Sequence, residues 1–286
     1  MERRVTALRK LAARADALYH VQRIVDDDGK PRELTIPNDE LKEVQTRVYE
    51  RVLREHRFDS CVHSAPGFSV LTNAQCHVRH PYLSVFDIQK CFPSINAGRV
   101  VEGLRRAGFG DDVAALIARL TTAGQQLPQG APTSPALLNF VLVDLDAKLV
   151  SMARQLGLTY TRYVDDLFLS GGERTTDLAA FVEKIVRAHR LQLNPDKRHD
   201  WGPGEQHTVT NIVVNSRPNA LPEYVESVRA IITRHRSGEL VLAGKEMASL
   251  VGRIGWVKSL SPSTGASLER LLGDGAAAGV TPHGGE

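Results

Sequence analysis

The segment "TRYVDDLFLS", residues 161–170, most constrains the fold, because it places Asp165 and Asp166 side by side within a strand-like apolar run. Aspartate is unfavourable in strands, and two adjacent carboxylates repel each other and resist removal from water. One interpretation is a hairpin turn, where aspartate is common. The other is a metal site, because hard divalent cations prefer clustered carboxylates. The segment alone leaves both interpretations open.

A third acid, Asp87, follows the apolar run in "PYLSVFDI", residues 81–88, which is predicted to be a buried strand. Asp87 can be read as a helix cap or a turn residue. A strand-end acid and an acid pair in a strand–turn–strand unit can also meet at one edge of an antiparallel sheet. Three carboxylates there would suit two divalent ions, which activate an attacking oxygen and neutralise a leaving pyrophosphate.

The segment between these acids, "LPQGAPTSPALLNF" at residues 127–140, combines an amide side chain, a flexible glycine and a helix start. Gln129 and Gly130 precede Ser134 and Pro135, a cap followed by proline at the first helical position. A helix N-terminus favours anionic ligands. The same residues also describe an ordinary well-capped helix.

The order of elements predicts an α+β fold, because strands and helices are mixed up to about residue 215 and helices follow. Asp28 and Gly29, between two β-leaning runs, predict a hairpin. The last residues, 273–286, are small and polar and predict a disordered tail. Further helices are predicted over residues 5–19, 40–56, 97–107, 111–122, 134–157, 176–189, 222–237 and 245–258, and further strands over 158–164, 167–170 and 207–214.

The composition is that of an ordinary globular protein, with 42% hydrophobic and 24% charged residues. No apolar run is long enough to span a bilayer and the N-terminus lacks an apolar signal core, which predicts a cytoplasmic protein. Cys61, Cys76 and Cys91 lack metal-site spacing and are predicted to be reduced thiols. The net charge of +3 is mild, and basic residues crowd both ends. They would form either a nucleic-acid backbone track or solvated helix faces.

Three segments occur in one order that resembles a known family. "FDIQKCFPSI", "LPQGAPTSPALLN" and "YTRYVDDLFLSG" resemble motifs A, B and C of reverse transcriptases, the polymerases that copy RNA into DNA. "GKPRELTIPNDELKEVQTRVYERVL" resembles their fingers segment, "LQLNPDK" resembles motif D, and "VTNIVVN" resembles the strand before the thumb. The resemblance covers residues 19–272. It implies a right-hand polymerase with an antiparallel palm sheet flanked by helices, interleaved fingers and palm over 1–215, and a helical thumb over 216–272.

Within that superfamily the chain resembles the retron type most. "TNAQCH", residues 72–77, is similar to the Asn-Ala-x-x-His element of retron enzymes. Two positions depart from their pattern. Val164 stands where motif C commonly has alanine, and Asn211 replaces the glycine of a Val-Thr-Gly triplet. That glycine is associated with recognition of the cognate RNA, so the second departure bears on the RNA partner.

The resemblance also implies the metal and sugar contacts. Asp87 and Asp165 would ligate two Mg²⁺ ions, supported by Asp166 and by the backbone carbonyl of Ile88. Phe92, five residues after Asp87, matches the steric gate that excludes ribonucleotides, although a core phenylalanine is the alternative.

Further roles implied by the resemblance concern the nucleotide and the RNA. Gln129 would contact the incoming nucleotide or the template. Lys30 and Arg32 would bind the triphosphate, or would be exposed turn cations. Lys197 would protonate pyrophosphate as a general acid. His77 would be structural or would contact RNA. The cations Arg229, Arg234 and Arg253 are expected to grip RNA phosphates, because the acids of the two predicted thumb helices are too few to pair with all their cations.

Three functions are therefore considered. The first is a retron-type RNA-directed DNA polymerase in antiviral defence, acting on dNTPs and a structured non-coding RNA that serves as template and 2′-hydroxyl primer. It would form an RNA–DNA hybrid, bind no membrane and work with a separate effector toxin. The second is a solitary group II intron-like or other defence-associated reverse transcriptase with a different RNA or untemplated synthesis. The third is a catalytically dead RNA-binding module, which would not need the three acids, Gln129 and Phe92 together.

Overall fold

The computed structural model describes residues 2–25, 29, 31–174 and 178–276 of the chain. The helices of this part are α1 (Glu2–Ala13), α2 (Asp39–Val48), α3 (Val70–Gln75), α4 (Ala97–Arg106), α5 (Asp111–Thr121), α6 (Ser134–Gln155), α7 (Leu178–Ala188), α8 (Pro222–Arg236), α9 (Lys245–Leu260) and α10 (Pro262–Ala276). The strands are β1 (Tyr19–Val25), β2 (Pro31–Pro37), β3 (Tyr82–Asp87), β4 (Thr159–Tyr163), β5 (Asp166–Gly171), β6 (His199–Trp201), β7 (Thr208–Val209), β8 (Ile212–Val213) and β9 (Asn219–Ala220). Short 3₁₀ or π turns cover Ala15–Leu18, Tyr49–Leu53, Phe92–Ser94 and Pro195–Lys197.

The central sheet has four antiparallel strands in the order β4-β5-β3-β6. Both of its faces are covered. Leu167 and Leu169 point into a core built largely from α4, α5, α6 and α7. Phe168 points to the other side, where β3 contributes Leu83 and Val85 to a core shared with α8, α9 and α10. Burial on both faces explains why β3 and β5 are almost continuously apolar. The combination of helices with antiparallel sheets confirms the predicted α+β fold.

The N-terminal hairpin pairs β1 with β2 in antiparallel register, from Tyr19 opposite Pro37 to Val25 opposite Pro31. Gly29, at its tip, has φ 76°, a left-handed conformation that glycine adopts without steric cost. The hairpin predicted from Asp28-Gly29 is therefore confirmed, although Asp28 itself lies outside the described residues.

The predicted strand over 207–214 is instead a tight hairpin of β7 and β8, extended by β9. Its two turn residues, Thr210 and Asn211, have φ 46° and 61°. A two-residue turn with both φ values positive favours glycine or asparagine at its second position. Asn211 therefore keeps the backbone that a glycine would adopt there. The Thr210 hydroxyl also donates a hydrogen bond to the Val70 carbonyl at 3.1 Å, which ties the hairpin to α3.

The C-terminal part contains α8 and α9 near their predicted bounds and a third helix, α10, which lies in the segment expected to be helical but was not predicted as a separate helix. Glycine and serine are poor helix formers, and they obscure α10 in the sequence. A Cβ on Gly265 would lie only 2.3 Å from the Lys258 side chain, so this glycine permits close packing of α10 on α9. The tail predicted to begin at residue 273 is helical through Ala276, and residues 277–286 lie outside the described part.

Candidate active site

Three carboxylates meet at one edge of the central sheet. Asp87, the last residue of β3, lies opposite Asp166, the first residue of β5. Val164 and Asp165 form the two-residue turn between β4 and β5, and the Ile88 amide donates to the Asp165 carbonyl at 3.0 Å. Opposite residues of an antiparallel pair lie about 5 Å apart at their Cα atoms. The acid pair thus forms a turn and faces a third acid, so the turn interpretation is confirmed and the metal-site interpretation stays a prediction.

The electrostatics of this edge are unfavourable in the absence of a cation. Burial, together with the nearby Asp87, raises the pKa of Asp165. Burial, Asp165 and Asp87 together raise the pKa of Asp166 to about 7. Clustering these acids therefore destabilises the folded protein, and a bound divalent cation would relieve their mutual repulsion.

Lys197, in the 3₁₀ turn Pro195–Lys197, is the counter-charge of the acids. Its Nζ lies 2.7 Å from Asp87 Oδ2, and the Asn194 amide binds the Asp87 carbonyl at 2.8 Å. Burial alone would lower the pKa of Lys197, but the hydrogen bond and charge of Asp87 outweigh it, so the pKa is raised. Lys197 is thus held beside Asp87 as an ammonium.

The donor set suits a hard divalent cation, because carboxylate oxygens are the ligands such cations prefer. In the described ranges, however, no three His, Cys, Asp or Glu side chains are arranged to hold a metal ion. Lys197 occupies one oxygen of Asp87 in this arrangement. A metal ion would therefore bind Asp87 through its other oxygen, Oδ1, or would displace Lys197 from Oδ2.

The raised pKa of Asp166 predicts a pH-dependent stability for the metal-free protein. This carboxyl has an ordinary pKa of 3.8 and a folded-state pKa of about 7. The folded state binds the proton more tightly, so the stabilisation is complete below about pH 4 and is lost as the pH rises through about 7. Asp166→Asn should raise the melting temperature in EDTA, and the gain should grow between about pH 4 and pH 7 and then stay constant. The exposed Asp112→Asn is the control, and a gain independent of pH at Asp166 would contradict the account.

The loop before α6 packs against the N-terminal hairpin. The Thr35 amide donates to the Gln129 carbonyl at 2.7 Å, and a Cβ on Gly130 would lie 3.3 Å from Leu34 and Ile36. Arg32 lies on the same strand, β2, and its charge lowers the pKa of Asp165 against the larger effect of burial. The fold therefore places Arg32 within electrostatic reach of the acids. Lys30 lies outside the described residues.

Two hydroxyl groups at the start of α6 have no hydrogen-bond partner among the described residues. Thr133 and Ser134 are fully buried, and neither Oγ atom meets a donor or acceptor in the described part of the chain. Thr133 occupies the N-cap position without capping the helix. Buried polar groups are normally satisfied, so these two require an explanation.

Phe92 lies in the 3₁₀ turn that follows Asp87 and is half-buried against the main core. The Phe92 ring therefore packs against the core and is also partly exposed. This position is compatible with a core residue and with a steric gate.

His77 is completely buried, which corrects its assignment to RNA contact. Its Nδ1 lies 2.6 Å from Ser170 Oγ and its Nε2 lies 2.7 Å from Thr161 Oγ1. Burial, with smaller effects of His80 and His63, lowers the pKa of His77 to about 3. His77 is a neutral structural residue that joins the segment after α3 to β4 and β5.

The cations of the C-terminal helices are only partly paired, which agrees with the expected shortage of acids, but two of the three cations expected to grip RNA have partners. Arg229 pairs with Glu226, and Arg234 pairs with Glu239 at 2.8 Å. The missed helix α10 supplies Glu269, which pairs with Lys258 at 2.8 Å. Arg253 is exposed and forms no ion pair with another described residue.

A buried polar cluster behind the acid turn was missed by sequence reasoning. Arg162 is 0% exposed and forms a two-pronged ion pair with Asp146 of α6. Burial would lower the pKa of Arg162, but Asp146 outweighs it, so the guanidinium stays charged. The sequence signal was an arginine within the strand-like "YTRYV".

Comparison with known proteins agrees with this geometry. Residues 24–210 match the family "Reverse transcriptase (RNA-dependent DNA polymerase)". A solved structure of apo telomerase from Candida tropicalis, truncated from the C-terminal domain, superimposes with a TM-score of 0.50 at 10% identity, covering 71% of this chain and 55% of that one. The likeness shows a shared right-hand polymerase fold. The chain belongs to the reverse transcriptase family.

Curated relatives narrow the assignment to the retron type. The Retron Ec86 reverse transcriptase of Escherichia coli is 31% identical over 222 residues, covering 74% of this chain and 68% of the relative. The Retron Mx162 and Mx65 reverse transcriptases of Myxococcus xanthus are 30% and 32% identical, covering 83% and 85% of this chain. The chain spans only 57% and 61% of those two relatives. It is a member of the retron-type reverse transcriptases.

Proposed function

We propose that the chain is an RNA-directed DNA polymerase that copies a structured non-coding RNA into DNA. The observation that carries this proposal is the meeting of Asp87, Asp165 and Asp166 at one sheet edge, in a chain of the reverse transcriptase family. The test is extension of a DNA primer on an RNA template with dNTPs. Extension supports the proposal, and a folded protein that never extends the primer refutes it.

Within this proposal, Asp87 and Asp165 hold two Mg²⁺ ions, with Asp166 and the Ile88 carbonyl beside them. When bound, the ions supply activation of the primer hydroxyl and neutralisation of the pyrophosphate. The backbone hydrogen bonds on either side of Ile88 use the Asp87 carbonyl and the Gln89 amide. Neither bond uses the Ile88 carbonyl, which supports its proposed place beside the metal ions. Lys197 delivers a proton to the pyrophosphate, which its protonated state beside Asp87 supports.

The incoming dNTP lies between the acid edge and β2. Arg32 and Lys30 bind its triphosphate, and Gln129 contacts the nucleotide or the template. The partnerless hydroxyls of Thr133 and Ser134 support a polar ligand at the start of α6. Phe92 lies against the sugar and excludes the 2′-hydroxyl.

The fingers and palm occupy residues 1–215, and the thumb begins at 216 and contains α8, α9 and α10. We propose that the thumb contacts phosphates of duplex or structured RNA, whose base edges lie in a deep groove that side chains do not read. Arg253 contributes most, because Arg229 and Arg234 are already engaged by Glu226 and Glu239.

The thumb proposal predicts a change in the salt dependence of RNA binding. Arg253→Gln should weaken binding to many RNAs alike and flatten the salt slope by up to about one unit, and adding Arg229→Gln and Arg234→Gln should add less than that per residue. RNA affinity is measured across a salt series, with the exposed Lys184→Gln on α7 as control. If the triple variant matches the wild type in affinity and slope, the thumb cations are a solvated face.

The setting we propose is that of a retron, in antiviral defence with a separate effector protein. The names of the curated relatives support the retron part of this setting. A solitary group II intron-like or other defence-associated enzyme would carry the same acids with a different RNA. Sequencing the nucleic acid that copurifies with the protein separates them, because a retron yields a DNA copy of one short inverted-repeat RNA.

A further inference from the structure

The turn that carries Asp165 is anchored by the side chain of Arg162, which takes no part in the proposed chemistry. Nε and Nη2 of Arg162 donate to the two carboxylate oxygens of Asp146, each at 2.8 Å. Its Nη1 donates to Asn139 Oδ1 at 3.0 Å and to the backbone carbonyl of Val164 at 2.8 Å. One buried guanidinium therefore joins helix α6 to the peptide that precedes Asp165.

The partners on α6 are themselves fixed. Asn139 and Asp146 are seven residues apart, two helical turns, and therefore lie on one face of α6, where both are buried. The Tyr160 hydroxyl also donates to Asp146 Oδ1 at 2.8 Å, and the Ser64 hydroxyl donates to Asn139 Oδ1 at 3.0 Å. The guanidinium is thus held against a rigid helix rather than a mobile surface.

The turn itself needs an external anchor. Val164 has φ 57°, a conformation that is rare for a β-branched residue. Its carbonyl is held by Arg162, and the next carbonyl, that of Asp165, accepts from the Ile88 amide at 3.0 Å. The peptides on both sides of Asp165 are therefore tied, one to α6 and the other to the strand that carries Asp87.

Stability alone does not account for this ion pair. A buried pair of opposite charges is often no more stable than apolar residues of the same volume. An apolar residue at position 162 would fill the space but would leave the Val164 carbonyl without a donor. The planar guanidinium can bind a carboxylate with two nitrogens and still direct the third at a carbonyl, which a lysine ammonium does not reproduce.

We propose that Arg162, held by Asp146 and Asn139, is a positioning residue that sets the Val164–Asp165 turn and so places Asp165 relative to Asp87. The inference rests on the proposed function, because it takes Asp165 to be a catalytic residue. A displacement of roughly 1 Å at a reacting group lowers a rate about 10²-fold, so the anchor acts on the rate of the chemical step.

The test replaces both charges together, so that no lone charge is buried. In Arg162→Met/Asp146→Leu, peptides spanning the turn should exchange amide hydrogens about tenfold faster or more, as expected for loss of a buried hydrogen bond. Primer extension should show kcat reduced about 10²-fold with the KM for dNTP changed much less. Arg162→Lys should give the same pattern in a weaker form, and it serves as the test if the double variant does not fold.

The matched control is the exposed ion pair between Arg106 and Asp144, which also joins α6 to a neighbouring helix. Arg106→Gln/Asp144→Asn should leave turn exchange and kcat unchanged. A folded Arg162 variant with wild-type turn exchange and kcat overturns the proposal. Hydrogen exchange is measured without substrate, so it tests the anchoring of the turn independently of polymerase activity. If the variants change exchange as expected but the wild-type protein extends no primer, the proposed function is refuted and the anchoring role of Arg162 stands.

Discussion

Replacing Asp165 with asparagine is expected to abolish DNA synthesis while leaving the fold intact. The amide keeps the shape of the side chain but removes a charge at the edge where Asp87 and Asp166 meet it. Loss of a metal-binding carboxylate removes several kcal/mol of charge stabilisation from the transition state, which corresponds to about 10³-fold or more in rate. Single-nucleotide incorporation by the purified variant measures the loss.

The same substitution should slightly stabilise the metal-free protein, because burial and Asp87 raise the pKa of Asp165 in the folded state. Thermal unfolding in EDTA tests this. Asp200→Asn is the control, since Asp200 belongs to the same sheet but lies opposite Ser84, away from the acid edge. Full extension by Asp165→Asn would remove this carboxylate from the catalytic set.

Replacing Phe92 with valine is expected to admit ribonucleotides while dNTP use persists. Phe92 follows Asp87 by five residues and is only half-buried, so part of its ring is available to a substrate. A smaller side chain leaves room for a 2′-hydroxyl. A change in pocket size of this kind alters discrimination about 10- to 200-fold. The ratio of kcat/KM for dNTP and rNTP measures it.

Phe109→Val is the matched control for Phe92, because Phe109 is another half-buried ring packed against the same core, where it contacts Phe140. It should lower the melting temperature without altering discrimination. If Phe92→Val lowers the melting temperature and leaves the dNTP preference at the wild-type value, Phe92 is only a core residue.

The local hydrophobic pattern of the sequence was enough to predict that the three acids lie where strands end and a turn begins. The apolar runs before Asp87 and around Asp165 predict strands, and an acid at the junction of strand and turn is visible without knowledge of the fold. The pairing of Lys197 with Asp87 was not visible, because the two residues are 110 positions apart. Such contacts depend on strand order, which sequence periodicity does not specify.

Long-range partners also explain what was wrong or missed. The ion pair of Lys258 was missed because its partner Glu269 lies on α10, whose glycines and serines obscure the helix. His77 was left between two roles because its burial depends on Ser170 and Thr161, which arrive from β5 and β4. The structural role of Arg162 was missed because its partner Asp146 lies on a helix rather than on a neighbouring strand.

Primer extension on an RNA of defined sequence tests the central claim most directly. Wild-type protein, an annealed DNA primer, the four dNTPs and Mg²⁺ should yield DNA complementary to the RNA, and Asp165→Asn or EDTA should prevent it. Product sequencing distinguishes templated synthesis from untemplated addition. Complementary DNA made by the wild type alone is the predicted result. A folded wild-type protein that binds the RNA but makes no DNA, or makes equal amounts with Asp165→Asn, would contradict the account.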